Sequence, residues 1–132
     1  MTIPELLNAA DPLVAVVGAT DNPTKYGSVI YRDLKSKGFR VVPVNRSRDT
    51  VGGDPAYADL GDLPEAPDIV NVVVPPDQTL GVLRKSHELG YLRVWLQPGA
   101  SDRAVREYLD DHDFDYLVDA CIMVRSRVRT AG

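Results

Sequence analysis

Residues 14–27 read Val-Ala-Val-Val-Gly-Ala-Thr-Asp-Asn-Pro-Thr-Lys-Tyr-Gly, and the fold is decided there. Val14 to Val17 form an unbroken apolar run that stops at Gly18. A run that is apolar on both faces suits a short parallel strand buried between two layers of helices. Small and turn-forming residues dominate from Gly18 to Gly27. From Tyr26 to Lys37 the apolar residues Val29, Ile30 and Leu34 recur at helical spacing, and Gly38 supplies a stop. Strand, tight turn and helix in that order begin an alternating α/β arrangement.

The alternation continues outward. Phe39 to Val44 reads as a second strand, Asp68 to Val74 as a third and Arg93 to Leu96 as a fourth. Gln78 to Leu89 is helical, with Leu80, Leu83 and Leu89 apolar and Gly90 closing it. Ser101 is placed to cap a helix that runs to about Asp111, with Val105 and Leu109 inward. Tyr116 to Val118 is a short fifth strand, followed by a short helix over 122–127. Ile3 to Ala10 reads as a helix packed on the outside. Asp49 to Pro67 is the least regular stretch, a loop with a short strand or helical turn near Tyr57 and Leu60. The expectation is one domain over residues 1–132. Its fold is a Rossmann-like, doubly wound parallel sheet of about five strands with helices on both faces.

Bulk properties narrow the function. A chain of 132 residues suits one domain and leaves no room for a full catalytic domain beside a nucleotide domain. The net charge of −4 provides no global field for nucleic acid, so an anionic ligand needs a local positive site. A single cysteine, Cys121, excludes an intramolecular disulfide and a Cys-rich metal site. Met1 to Ala10 has no basic stretch of the kind that opens a secretory signal. No apolar run approaches the roughly 20 residues of a membrane helix. The expected location is the cytoplasm, without nucleic-acid or membrane partners.

In doubly wound folds ligands bind beyond the carboxyl ends of the strands, where the strand order reverses. That rule points to the turns after Val17, Val44, Val74 and Leu96. In the first, Gly18 permits a sharp turn, Thr20 offers a hydroxyl, Lys25 a charge, and Gly27 close approach. The helix behind it directs free N–H groups and a positive dipole end at the same point, as an anion site requires. Thr20 stands where a dinucleotide fingerprint needs its second glycine, and Tyr26 follows Lys25 where a P-loop needs Ser or Thr. The second turn, Asn45-Arg46-Ser47-Arg48, lacks the acid that accepts from an NAD ribose. Arg46 and Arg48 suit a phosphorylated ribose through their planar forks, or else pair with Asp49 or Asp54. Pro75 and Pro76 either stiffen an apolar edge for a flat base or begin a helix. Gln97 is expected to emerge opposite the first turn with its amide free for a phosphate, and Gly99 gives the backbone freedom there.

Together VAVVGATDNPTKYG, the strand end VVPVN, the VVVPP corner, VWLQPGA and the late DACIMV resemble the bacterial CoA-binding domain family. These are small stand-alone relatives of the nucleotide domain in the succinyl-CoA synthetase alpha subunit. The similarity runs from about Val14 to Arg127. The resemblance implies a Rossmann-like fold that binds coenzyme A over its strand ends. It places Gly18, Thr20, Lys25 and Gly27 near the phosphates, with Ala19 and Tyr26 among the contacts of the same turn. Asn45, Arg46 and Arg48 fall near the adenosine end and its ribose phosphate. Val74, Pro75 and Pro76 line the adenine or ribose, and Gln97 and Gly99 the pantetheine arm. The family usually has Asn-Pro after the second strand, whereas this chain has Asn45-Arg46.

No catalytic set stands out. His87 and His112 read as solvated helix residues, and no Ser–His–Asp set, paired carboxylates or metal cluster is legible. Cys121 is either a small core residue or a thiol placed near the CoA thiol. The leading function is a non-catalytic CoA or acyl-CoA binding module. The alternatives are an NADP-binding reductase-like domain and the nucleotide-binding subunit of a split acyl-CoA ligase, whose catalytic domains lie on a partner protein.

Overall fold

Valine and isoleucine crowd the strands because branched side chains pack well on a pleated surface. In the computed structural model, which describes residues 2–129, α1 (Ile3–Ala9) precedes β1 (Leu13–Val17), α2 (Tyr26–Ser36) and β2 (Arg40–Val44). Two short strands, β3 (Thr50–Val51) and β4 (Asp54–Pro55), and a 3₁₀ turn (Leu60–Asp62) come next. Then follow β5 (Ile69–Val72), α3 (Pro76–Glu88), β6 (Arg93–Leu96), α4 (Arg103–Asp111), β7 (Asp115–Val118) and α5 (Ile122–Arg125). Met1 and residues 130–132, which the expected domain includes, lie outside the described residues.

Five strands form one sheet in the order β2-β1-β5-β6-β7, and every pairing is parallel. All of β1 is buried, as its continuous apolar run requires. Alternation sends Val14 and Val16 to one face, with Ile69, Trp95 and residues of α1, α2 and α5. Ala15 and Val17 go to the other, with Val70, Val72, Val94, Leu96 and residues of α3 and α4. Helices therefore cover both faces, and the fold is Rossmann-like α/β. Among the described residues no helix is long and apolar enough to cross a membrane.

α1 packs on the outside of the sheet as expected, anchored by Leu7, which is wholly buried in the core it shares with Trp95 and Ile122. Two local expectations are corrected. The third strand ends at Val72 and its helix begins at Pro76, because proline suits the first helical position and cannot donate to a ladder. Asp102, not Ser101, caps α4; its carboxylate accepts from the Val105 N–H at 2.9 Å. The Ser101 hydroxyl is left buried and unpaired.

The irregular stretch after β2 is well anchored. β3 and β4 pair antiparallel, and the chain then runs along the end of β2. Asn45 N–H donates to the Tyr57 carbonyl and Tyr57 N–H to that of Pro43, at 2.9 and 3.1 Å. Asp54 in β4 accepts from Tyr31 and Lys35 of α2, at 2.5 and 2.7 Å. The buried Tyr31 hydroxyl is held far above its usual pKa by burial and by Asp54. The chain thus leaves β1 for the edge strand β2, then returns past β1 to β5. The reversal lies between β1 and β5, so the crevice opens above Gly18 and Val74.

Candidate functional site

The first turn is shaped by two glycines that need to be glycines. Gly18 has φ +101°, and a Cβ there would stand 2.9 Å from Val73 Cγ1. A Cβ on Gly27 would lie 2.0 Å from the Gly18 carbonyl oxygen. The start of α2 is therefore pressed against the end of β1. Lys25 occupies the cap position of α2 without a side-chain cap, so first-turn N–H groups of the helix remain available. Ala19 is wholly buried, while Lys25 is exposed. The Thr20 hydroxyl accepts from Asn22 N–H at 3.2 Å and so is partly spent on the turn itself.

The second turn is tied to the first. Asn45 donates its side-chain amide to the Ala19 carbonyl at 2.8 Å and accepts from Ser47 N–H at 2.8 Å. This fixes the loop despite the missing proline. Arg46 is exposed and makes no ion pair among the described residues. Arg48 approaches Asp21 at 3.9 Å, in place of the expected Asp49 or Asp54.

A cleft of about 250 Å³ opens between these turns and α3. Val17, Gly18, Val44 and Val74 form its base, and Asn45, Arg46 and Ser47 one lip. Ala58, Asp59 and Leu60 make a second wall, and Gln78, Gly81, Val82 and Lys85 a third. Of the residues singled out in the sequence, Gly18, Asn45, Arg46 and Val74 meet in this cleft. Ala19, Thr20, Lys25, Tyr26, Gly27, Arg48, Pro75, Pro76, Gln97 and Gly99 do not line it. The two prolines form the start of α3, Pro75 as its cap residue.

Gln97 is corrected: it does not emerge at the strand end. It is wholly buried, donating to Asn71 Oδ1 at 2.6 Å and accepting from Ile122 N–H at 3.1 Å. The Ile122 N–H fixes which way that amide points, and Asn71 Nδ2 is left buried without a partner. Gln97 therefore braces α5 against the sheet. Gly99, at φ +89°, faces open space.

Tyr26, at the start of α2, reaches across to α5. Its hydroxyl lies 2.8 Å from Cys121 Sγ, and its pKa is pushed up to about 12 by burial and then by the Cys121 contact. Cys121 is half-buried at the cap of α5. The histidines are not simply solvated: His112 stacks on Tyr108 at 3.8 Å and His87 meets it edge-on at 5.3 Å. This aromatic cluster closes the joint between α3 and α4. Asp119 pairs with Arg106 at 2.6 Å. Among the described residues, no three His, Cys, Asp or Glu side chains are grouped to hold a metal ion.

Two walls of the cleft were missed by reading strand ends alone. Gln78, Gly81, Val82 and Lys85 stand at i, i+3, i+4 and i+7, one face of a helix. That spacing was legible, although nothing in it says which face meets the second turn. Ala58 to Leu60 reach the site only because Tyr57 joins the edge of the sheet.

Comparison with known proteins gives a consistent picture. The family described as CoA binding domain matches residues 13–127. A conserved hypothetical protein from Pyrococcus furiosus superposes with a TM-score of 0.84 at 40% identity, covering 87% of this chain and 99% of that one. The uncharacterized protein YneT of Bacillus subtilis is 28% identical over 115 residues, 87% of this chain and 85% of its own length. The alpha subunit of the ADP-forming acetate–CoA ligase II of P. furiosus is 36% identical over 63 residues. That match covers 47% of this chain and 14% of the ligase subunit.

Proposed function

The chain belongs to the CoA binding domain family, and from that premise we propose that it binds coenzyme A or an acyl-CoA at the strand ends as a non-catalytic module. The observation that carries this reading is the cleft at the reversal of strand order. There the glycine turn, the Arg46 lip and the apolar base of Val17, Val44 and Val74 converge. The donor set suits the ligand. Apolar side chains and an open Gly81 accommodate a flat base, and Arg46 is free to pair with a phosphate. The cleft is smaller than the roughly 300–1,000 Å³ of sites that enclose a whole ligand. It therefore takes the adenosine end. The diphosphate then lies over the uncapped start of α2 beside Gly18, Ala19, Thr20, Lys25 and Gly27. The pantetheine arm continues towards Tyr26, Gly99 and Cys121. Gln97 serves that arm only by holding α5 in place. Pro75 and Pro76 act by ending β5 so that Val74 meets the base. Arg48 supports the second turn through Asp21.

The match to a ligase alpha subunit favours one second reading, a nucleotide-binding subunit that works with a partner carrying catalytic domains. Titration calorimetry with CoA, acetyl-CoA and NADP tests the proposal. CoA or its acetyl ester is expected to bind more tightly than NADP, and Arg46→Ala to weaken it by about tenfold, the worth of one charge-assisted contact. A folded protein that binds no CoA would refute the proposal.

A further inference from the structure

The far end of the cleft holds a donor and an acceptor that do not satisfy each other. Lys85 Nζ lies 3.7 Å from Asp59 Oδ2, beyond the 2.7–2.9 Å of a charge-assisted hydrogen bond. Asp59 Oδ2 accepts from Gly61 N–H at 3.1 Å, which caps the 3₁₀ turn and fixes the carboxylate. Among the described residues, Oδ1 of Asp59 and the Lys85 ammonium make no hydrogen bond. The Lys85 stem passes beside that turn, since a Cβ on Gly61 would stand 3.2 Å from Lys85 Cε. Both groups line the same cleft as the apolar base.

Their position along α3 decides what they meet. Lys85 lies seven residues beyond Gln78, about 10 Å further from the strand ends at 1.5 Å per residue. Between them Gly81 and Val82 offer a smooth wall, with nothing within 4 Å of the place a Gly81 Cβ would occupy. A flat ring entering from the Arg46 lip slides along this wall. Its sugar and phosphate stay at the mouth and its outer edge faces Asp59 and Lys85. Adenine presents on that edge an amino group that donates and, beside it, a ring nitrogen that accepts. A carboxylate and an ammonium, side by side and joined only by a long ion pair, are the complement of that pattern.

Building on the CoA reading above, we infer that Asp59 and Lys85 read the base of the bound nucleotide. Asp59 Oδ1 accepts from the adenine amino group and Lys85 donates to the neighbouring ring nitrogen. Their own pairing is an exposed one, worth little, so turning to the base costs little. A buried phosphate partner is the competing role for Lys85, but Arg46 already stands at the mouth where the ribose lies.

Calorimetry on the full chain with CoA and with its 1,N6-etheno derivative tests this. The etheno bridge blocks the amino group and the ring nitrogen and leaves every phosphate and the pantetheine unchanged. The wild type is expected to prefer CoA by about tenfold or more, the discrimination that a matched donor–acceptor pair gives. Lys85→Met keeps the stem and removes the donor. Asp59→Asn keeps a good capping residue and the oxygen that Gly61 needs, but puts an NH2 donor where Oδ1 would accept from the base. Each is expected to bring the ratio of the two affinities close to one, with binding of the etheno compound changed by no more than about twofold. Equal affinities in the wild type overturn the inference and leave the CoA reading standing. An equal loss for both ligands in both variants also overturns it, because the groups then act on phosphate or on the fold. A folded wild type that binds neither compound defeats the CoA reading and this inference together.

Discussion

Gly27 and Gly81 show how differently two glycines behave in one protein. Gly27 sits in a closed joint, where a methyl group would meet a backbone oxygen at 2.0 Å. Neither partner is a flexible side-chain tip, so Gly27→Ala is expected to cost about 3 kcal/mol, the upper range of overpacking. Gly81 is exposed on α3 with open space around it. Gly81→Ala is expected to stabilise the helix by about 0.5–1 kcal/mol while placing a methyl in the cleft and weakening CoA binding. Urea unfolding and calorimetry on both variants check the opposite signs. The importance of Gly18 and Gly27 was legible in the sequence, because both punctuate a strand–turn–helix junction. The outcome at Gln97 was not. Its amide is claimed by Asn71 and Ile122, each about 25 residues away in the chain.

Elements ended where local chemistry told them to. α2 and α3 stop at Gly38 and Gly90: Phe39 N–H donates to Leu34 and Gly38 N–H to Lys35, and Tyr91 N–H to Ser86 and Gly90 N–H to His87, the paired bonds of a Schellman end in each case. The hairpin of β3 and β4 was less legible, since two-residue strands carry no periodic signal. Its stability rests on Asp54, which holds Tyr31 and Lys35 of α2. Removing that carboxylate leaves a buried tyrosine hydroxyl unpaired. Asp54→Ala is therefore expected to cost about 1–3 kcal/mol and to loosen the second turn. The hydrogen bond from Lys35, then that from Tyr31, lowers the Asp54 pKa. Its folded pKa lies below the unfolded one. The contribution is thus complete above the usual carboxylate range and is lost as pH falls through the lowered value. Denaturation of wild type and Asp54→Ala across pH 2–7 is expected to show the two stabilities converging at the acid end.

At the scale of the whole molecule, a net charge of −4 means that a polyanionic ligand is not drawn in by the overall field. Attraction has to come from Arg46 and the uncapped helix start. A ligand that binds only the folded chain stabilises it by about 2.7 kcal/mol at a hundred times its Kd. For 132 residues that corresponds to a rise in Tm of roughly 10 °C, which a thermal melt with and without CoA will measure. The alternation of strands and helices, the buried parallel character of β1 and the glycine turn are written in the sequence. These follow from periodicity and turn chemistry acting over a few neighbouring residues. Which residues face one another across the cleft emerges from the assembled fold alone. Asp59, Lys85 and Arg46 come from a 3₁₀ turn, a helix and a loop. What unites them is the return of the chain past β1 to β5 and the docking of Tyr57 on β2. Those are long-range pairings, and no local pattern specifies which helix face or loop segment they bring together.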